Sequence, residues 1–164
     1  MRTILMLVAA LLFAAPAAAK VVQHAQAGVS VNLPDGWQIE GDGDLLSAES
    51  PDDKIVALFI GVPKAQFEAV LGQLETMISE AGIKNSEIGE PAEGELNGMP
   101  ALMVEGKGTF EGKPVEMGIV LAMPLTGENA LIMLGLSEKG AADAQAKVLE
   151  KMLNSIKPLW AKPL

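Results

Sequence analysis

The sequence predicts an α+β fold, a mainly antiparallel sheet of seven to eight strands with two amphipathic helices packed on it. Short apolar or alternating segments are separated by Gly, Asn and Asp residues, which is typical of strands joined by tight turns. Two longer segments instead repeat their apolar residues every three or four positions, which is typical of helices. Each helix then has one apolar face to bury against the sheet, and helices on both sides would give an α/β/α sandwich.

The first half of the chain predicts four strands. Residues 28–33 alternate apolar and polar side chains and lead into the turn sequence Leu33-Pro34-Asp35-Gly36. Residues 37–40 and 45–49 form two short strands around a turn rich in Gly and Asp. Residues 54–62 are almost entirely apolar, which predicts a central strand buried on both faces.

A helix of about five turns is predicted next. Pro63 suits its first turn, where a missing N–H costs nothing, and Gly82 suits its C-terminal cap. Between them, one apolar stripe is formed by Phe67, Val70, Leu71, Leu74, Met77, Ile78 and Ala81.

The second half of the chain predicts four more strands and a closing helix. Residues 85–93 are polar and alternating, as in an edge strand, and Asn97-Gly98 and Glu111-Gly112 mark turns. Residues 113–123 alternate cleanly, and residues 128–137 are apolar on both faces. The closing helix is predicted over 138–157, and Pro158 ends it.

Residues 1–19 carry the three parts of a secretory signal peptide. Arg2 supplies the positive charge, residues 4–15 are apolar, and Ala17-Ala18-Ala19 supplies the small side chains that signal peptidase requires. The apolar segment is shorter than the roughly 20 residues of a membrane span, and the sequence has no cysteine to carry a lipid anchor. We therefore expect cleavage near Ala19 and export to the periplasm or the medium. The mature chain, residues 20–164, would be one α+β domain without a membrane anchor.

The charge of the mature chain excludes one class of partner. Cleavage would remove the only arginine and leave 11 lysines against 21 acidic residues, a net charge of −10. Arginine makes the bidentate contacts to phosphate and guanine that nucleic-acid-binding proteins use. We therefore expect no nucleic acid partner, and the acidic charge is equally unsuited to docking on anionic lipid.

One turn carries a family resemblance. The segment Val29-Ser30-Val31-Asn32-Leu33-Pro34-Asp35-Gly36-Trp37 resembles the start of PsbP-like domains, in which an apolar strand enters a Pro-x-Gly-Trp turn. The ending Met152-Leu153-Asn154-Ser155-Ile156-Lys157 is similar to their closing helix. The resemblance implies an α/β/α sandwich that serves as a binding or assembly module and not as an enzyme. The metal-associated residues of that family have no match in this sequence.

Few residues suit catalysis or metal binding. The single histidine, His24, lies close to the predicted cleavage site, and we expect it in a solvated tail. No nucleophile elbow or phosphate-binding loop occurs, so we expect no catalytic residue and no cofactor. Glu40, Asp42 and Asp44 are calcium candidates because they stand at alternate positions, as in a calcium loop. Such a loop has Gly at its sixth position and Glu at its twelfth, where this sequence has Leu45 and Pro51, so a polar hairpin turn is the simpler interpretation.

Methionine suggests an alternative function. Seven methionines remain after residue 19, and Met117 and Met123 share one face of a predicted strand. A sheet face left uncovered by helices would create a methionine-lined pocket for a small apolar ligand. Complete coverage by the helices, with methionine as core filler, is the simpler interpretation.

The function expected from the sequence is a non-catalytic binding or accessory module of the cell envelope, with another envelope protein as its partner. The first alternative is a carrier of a small apolar ligand. The second is a hydrolase that uses paired carboxylates, which would require buried acids with raised pKa values in a cleft.

Overall fold

The computed structural model describes residues 19–41, 43–140 and 143–159. Its helices are α1 (Phe67–Gly72), α2 (Leu74–Glu80) and α3 (Asp143–Ser155), with a 3-10 turn at Lys64–Gln66. Its strands are β1 (Lys20–His24), β2 (Val29–Leu33), β3 (Gln38–Glu40), β4 (Leu45–Glu49), β5 (Ile55–Pro63), β6 (Lys84–Ile88), β7 (Ala92–Leu96), β8 (Met99–Phe110), β9 (Lys113–Ala122), β10 (Asn129–Glu138) and β11 (Lys157–Pro158). Residues 1–18 of the expected signal peptide, the calcium candidate Asp42 and residues 160–164 lie outside the described residues.

Eight strands form the main sheet. Their order is β3-β4-β5-β10-β9-β8-β6, and β7 pairs with the other half of β8. Every pair in this sheet is antiparallel, both where tight turns join consecutive strands and where β5 pairs with β10 and β6 with β8. The predicted fold class and strand number are confirmed.

Two hairpins follow the turn chemistry that the sequence predicts. Asn97 and Gly98 (φ 49° and 84°) connect β7 to β8, and Glu111 and Gly112 (φ 49° and 80°) connect β8 to β9. Both residues of each pair are left-handed, as a type I′ turn requires, and this turn matches the twist of the flanking strands.

The edge of the sheet beside β8 differs from the prediction. One strand was expected over 85–93, whereas β6 and β7 pair with successive parts of β8. Gly89 still donates its N–H to the Glu105 carbonyl (2.8 Å), and the ladder then stops. Pro91 has no N–H to continue it, so the edge is divided into two short strands.

The helix expected between Pro63 and Gly82 is interrupted. Gln73 (φ −113°, ψ 9°) separates α1 from α2, directly after Gly72, a poor helix former. The predicted C-terminal cap is confirmed, since Gly82 has φ 87°. Its N–H donates to the Ser79 carbonyl (3.0 Å) and that of Ile83 donates to the Ile78 carbonyl (3.2 Å), which is a Schellman motif.

The closing helix is shorter than the predicted 138–157. Its start is later because β10 continues to Glu138, which pairs with Val115 of β9. Its end is earlier because Lys157 and Pro158 form β11 and pair with β2. The small sheet β1-β2-β11 that results was not predicted.

The main sheet lies between two layers, which confirms the predicted sandwich. On one side, the helix-side face, α1 and α2 cover a core that contains Phe67, Leu74, Ile78, Val104, Val115, Met117, Ile119, Leu121, Ile132 and Leu134. On the other side, α3 and the small sheet cover a core that contains Val29, Val31, Leu33, Ala57, Phe59, Met99, Leu131, Met133, Met152 and Ile156.

A row of small residues lets α3 approach the sheet. Ala48, Ala57 and Gly135 stand opposite one another on β4, β5 and β10. A Cβ atom added to Gly135 would lie 3.4 Å from Cδ2 of Leu149 on α3. The small side chains therefore set how closely the helix packs against the sheet.

Candidate binding surface

Strand β5 leaves one row of apolar side chains accessible. On the α3 side, Ala57 and Phe59 are 0% and 1% exposed. On the helix-side face, Val56, Leu58 and Ile60 are only half-buried. The prediction that this strand is buried on both faces is therefore wrong for the helix-side face.

The accessible row exists because the helix layer is narrower than the sheet. Seven strand positions at a spacing of about 4.8 Å span about 29 Å, whereas one helix with its side chains is about 10–12 Å across. Phe67 of α1 lies beside Leu121 of β9, and α2 lies above β9, β10 and the near flank of β5. Among the described residues, no helix buries the far flank of β5 or the adjoining face of β4.

We define the β5 shelf as the surface formed by Leu45, Val56, Leu58, Ile60 and Met77. Leu45 of β4 is 46% exposed and lies opposite Ile60 in the strand register. Met77 is half-buried on α2, beside Leu58 and Ile60. The shelf is therefore a continuous apolar surface beside α2.

The outer margin of the β5 shelf is acidic. Ile39 and Ala48 of β3 and β4 pack into the core on the α3 side. Because side chains alternate along a strand, Glu40 and Glu49 stand on the helix-side face. Glu40 is exposed and Glu49 is half-buried. Apolar and acidic surfaces thus lie next to each other on this side of the sheet.

The shelf opens at Val56 into a groove of about 380 Å³ at the end of the sheet. Its apolar floor is formed by Val56, Phe110, Val115 and Leu136, and its charged rim by Glu49, Asp53, Lys54, Glu111, Lys113 and Glu138. Lys113 Nζ lies 3.8 Å from Glu138 Oε1. The rim has four carboxylates against two ammonium groups and is therefore negative overall.

A second groove, of about 280 Å³, lies on the opposite flank of the helix layer, between α1 and the β7–β8 edge. Leu71, Leu102 and Met123 contribute apolar surface, and Glu68 and Glu93 contribute carboxylates. We call it the α1 groove.

The methionines do not gather around one pocket. Met99, Met103, Met133 and Met152 belong to the core on the α3 side, and Met77, Met117 and Met123 belong to the core on the helix side. The apolar cavity beneath α2, which Met77 lines, has a volume of about 50 Å³, and the groove of about 820 Å³ between β6 and Leu149 of α3 is lined by one methionine, Met117. Ligand pockets are about 300–1,000 Å³. The described residues give no support to a methionine-lined carrier pocket.

The calcium candidates lie at the β3–β4 turn. Glu40 ends β3, and its carbonyl accepts the Ser47 hydroxyl (3.4 Å). The Asp44 carbonyl accepts the Gly61 N–H (2.8 Å), which ties this turn to β5. In the described part of the chain, no group of three or more acidic, His or Cys side chains is placed to hold a metal ion. The third candidate, Asp42, lies outside the described residues.

His24 is buried, so the prediction of a solvated tail is wrong. It ends β1 and is 3% exposed. Its Nδ1 accepts the Ala27 N–H (3.1 Å), and its Nε2 lies 3.2 Å from the Asp44 carbonyl. Because Nδ1 is an acceptor, the proton resides on Nε2, which donates to that carbonyl. The segment after residue 19 is thereby fixed as a strand.

The β4–β5 turn is organised by Ser50. Its hydroxyl donates to Asp52 Oδ1 (2.7 Å) and accepts the N–H groups of Lys54 (3.2 Å) and Ile55 (3.0 Å). The Ser50 hydroxyl is the largest cause of a lowered pKa of Asp52, and the nearby Lys54 lowers it further. A hydroxyl that donates to the carboxylate favours its ionised form.

The carboxylate-based hydrolase would require a buried acid. The buried polar residues in the described chain are His24 and Ser50, so no buried acid supports that function there.

The β5 shelf was not identified from the sequence, but one signal for it exists. An unbroken apolar run such as residues 54–62 does not reveal which of its two faces remains accessible. The neighbouring strand does carry that information. In Leu45-Leu46-Ser47-Ala48-Glu49, the polar residues Ser47 and Glu49 share one face, which indicates that this face is open to water.

Comparison with known proteins identifies the fold. No family model matches the chain, and no curated protein matches it. Cyanobacterial PsbP (CyanoP) from Synechocystis has 11% sequence identity and a TM-score of 0.60, over 92% of this chain and 98% of that chain. The Ran-binding protein Mog1p of Saccharomyces cerevisiae has 11% identity and a TM-score of 0.58, over 88% of this chain and 97% of that chain.

Two bacterial structures are also similar. LpqN of Mycobacterium tuberculosis, described as involved in cell envelope biogenesis, has 11% identity and a TM-score of 0.56, over 84% of this chain and 88% of that chain. A protein of Bacteroides thetaiotaomicron has 16% identity and a TM-score of 0.55, over 81% of this chain but only 46% of its own length.

No helix in the described part of the chain has the length and apolar character needed to cross a membrane. The structural likeness, at sequence identities this low, concerns the fold alone. The antiparallel sheet between two covering layers is therefore a PsbP-like fold, as the turn at Leu33 to Trp37 suggested.

Proposed function

We propose that this chain is an exported, non-catalytic module that binds another protein of the cell envelope through the β5 shelf. The observation that carries the proposal is the half-burial of Val56, Leu58 and Ile60 beside the exposed Leu45. Apolar side chains that lie together on an accessible sheet face are typical of an interaction surface.

The energetics suit a reversible contact. Complete burial of an aliphatic side chain contributes about 1.5–3 kcal/mol. Val56, Leu58, Ile60 and Leu45 are already partly buried, so complete burial of these four side chains would contribute on the order of 3–6 kcal/mol, before the cost of ordering the two partners. Affinity from the shelf alone would be weak, and the acidic margin would favour a partner of complementary charge.

Export is supported by where the first strand begins. Strand β1 starts at Lys20, directly after the predicted cleavage site. Removal of residues 1–19 would leave every described strand intact, and residues 20–164 would form the mature domain. Two proteins of the same fold are described as Ran-binding and as involved in cell envelope biogenesis, which agrees with a binding role in the envelope.

The experiment is position-specific photo-cross-linking in cells that produce the protein. One variant carries the photoreactive residue at Ser47, on the accessible face of β4, and a matched variant carries it at Gln23, exposed on β1. We expect a protein adduct of defined mass from position 47 and none from position 23. Leu45→Glu should abolish the adduct, whereas Val21→Glu, at an exposed valine of the other layer (62%), should leave it unchanged.

Two results would contradict the proposal. The first is equal cross-linking from both positions, or none from position 47, which would remove the shelf as a contact surface. The second is a small molecule held stoichiometrically by the purified protein in native mass spectrometry, which would favour the carrier function instead.

A further inference from the structure

We infer that the partner element that covers the β5 shelf is a short amphipathic α-helix with lysine or arginine along one flank, lying beside α2. This inference rests on the proposed function and names the class of partner for the same surface. It follows from the shape of the shelf, the pairing of the neighbouring strands and the position of the charges.

A strand from the partner does not suit this surface. The shelf is a sheet face, whereas an added strand pairs with a sheet edge. The edge of β4 is already paired with β3 over Gln38–Glu40. On this side of the sheet a strand would pair with β3, which has three residues, or with Leu45 and Leu46 of β4, which lie outside the β3 register. In either place it would not cover the row from Val56 to Ile60.

A helix fits the dimensions of the shelf. The row from Val56 to Ile60 spans four residue-to-residue steps of β5, about 13 Å at 3.3 Å per residue. A helix rises 1.5 Å per residue, so about nine residues, or two to three turns, cover this row. Neighbouring helices pack 8–10 Å apart, which would place the partner helix against Met77 and above the far flank of β5.

The acidic residues around the shelf indicate which flank and which end of the partner helix carry basic side chains. Glu40 and Glu49 line the outer margin, away from α2, so basic side chains belong on the outer flank of the helix. At the Val56 end, the groove rim adds Asp53 and Glu111 against Lys54. Basic residues at that end of the helix would meet more carboxylates than ammonium groups. Such exposed ion pairs orient the partner and raise its association rate more than they raise the affinity, and salt weakens them.

The test uses a stapled helical peptide of about 14 residues, made of leucine, lysine and alanine, with its leucines on one face and its lysines along one flank. A peptide of the same composition, permuted to alternate leucine and lysine, is the control probe. Binding is followed by methyl chemical shifts of the untagged protein purified from cells that produce it. We expect shifts of Leu45, Leu58, Ile60 and Met77 with the helical peptide only.

Variants locate the contact. Leu45→Glu should weaken peptide binding by about tenfold or more, whereas Val21→Glu should leave it unchanged. The double variant Glu40→Gln with Glu49→Gln should weaken binding about twofold to tenfold at low ionic strength and reduce its salt dependence. Both glutamates lie at the surface of short strands, so these variants are expected to fold.

Three outcomes would overturn the inference: no methyl shift at the shelf, equal binding of the permuted peptide, or shifts confined to Leu102 and Met123 of the α1 groove. The two proposals fail separately. If position 47 cross-links to a partner that the helical peptide does not displace, the partner helix is wrong and the proposed function stands. If position 47 gives no adduct, the proposed function fails even when the peptide binds.

Discussion

The buried imidazole of His24 fixes the β1–β2 turn to the main sheet. Its Nδ1 accepts the Ala27 N–H within the β1–β2 turn, and its Nε2 donates to the Asp44 carbonyl before β4. The ring also contacts Gly61 of β5, where an added Cβ would lie 3.1 Å from its Cε1 atom. One side chain therefore connects the small sheet with the main sheet.

We expect His24→Phe to lower the free energy of unfolding by about 1–3 kcal/mol, because the buried Ala27 N–H loses its acceptor while the volume of the ring is kept. Urea denaturation measures the change. Gln23→Ala, at the exposed neighbouring position, should stay within about 0.5 kcal/mol of the wild type. Equal stability of the two variants would show that His24 is not a structural residue.

Ser50 sets the titration of Asp52. Because the pKa of Asp52 in the folded chain lies below its ordinary value of 3.8, the ionised carboxylate is favoured by folding. This contribution is present above pH 3.8 and is lost as the pH falls through the lower, folded-state pKa. We expect Ser50→Ala to raise the pKa of Asp52 towards 3.8, as measured by NMR titration of the carboxyl carbon. Ser79→Ala, at an exposed position of α2, should leave the titration unchanged, and an unshifted Asp52 in Ser50→Ala would contradict the assignment.

Calcium is expected to have no effect on stability. Asp44 contributes its carbonyl to the contact with β5, and the described part of the chain places no third acidic side chain with Glu40 and Asp44. A ligand that binds the folded state raises the melting temperature by mass action. We therefore expect the same melting temperature in millimolar calcium and in excess chelator. A rise that Asp44→Asn removes would restore the calcium hypothesis.

At the scale of elements, two glycines on β8 determine how closely β6 can approach. A Cβ at Gly108 would lie 2.6 Å from Ile83 Cγ2 and 3.2 Å from the Lys84 carbonyl oxygen. A Cβ at Gly106 would lie 2.9 Å from the Glu87 carbonyl oxygen. The Ile83 side chain, directly before β6, and the carbonyl groups of β6 therefore occupy the space that side chains at these positions would need.

We expect Gly108→Ala to destabilise the protein by about 1–3 kcal/mol, because a methyl group is forced against the buried Ile83 side chain and towards the Lys84 carbonyl oxygen. Gly118→Ala is the matched control, since its Cβ would meet no atom within 4 Å on the neighbouring strand β9. The two variants are compared by thermal or urea unfolding. If Gly118→Ala is as unstable as Gly108→Ala, the cause is a general loss of strand geometry and not the close approach of β6 to β8.

At the scale of the whole molecule, three layers of unequal width explain the β5 shelf. The layer of α1 and α2 is one helix wide and leaves the β5 shelf accessible. The other face is also open beyond Leu149 of α3, but the groove there, of about 820 Å³, has the charged residues Glu105, Lys107 and Glu116 in its lining. The proposed partner helix would complete the narrower layer.

The predicted export is tested by the mass of the isolated protein. We expect intact-mass spectrometry of the untagged protein from its producing cell to give the mass of residues 20–164, because signal peptidase cleaves after small residues such as Ala19. Ala19→Leu should slow this processing, whereas Lys20→Ala should not. Retention of residues 1–19 in the isolated protein would contradict the signal peptide.

The sequence by itself determined most of the secondary structure and the fold class. Turn pairs such as Asn97-Gly98 require left-handed backbone, the alternation of residues 113–123 requires a strand, and the Gly82 cap ends a helix. These are local constraints, in which a few neighbouring residues restrict the backbone whatever lies around them.

Tertiary structure alone decided where each face lies and what covers it. His24, β1 and β11 have little local signal. The burial of His24 depends on residues 20 or more positions away, such as Asp44, and β1 and β11 form by pairing with β2. The half-burial of Val56, Leu58 and Ile60 has the same origin. An apolar run shows that both faces of a strand can be buried. How much of each face is buried depends on the width and position of the covering helices, and these depend on the packing of the whole chain.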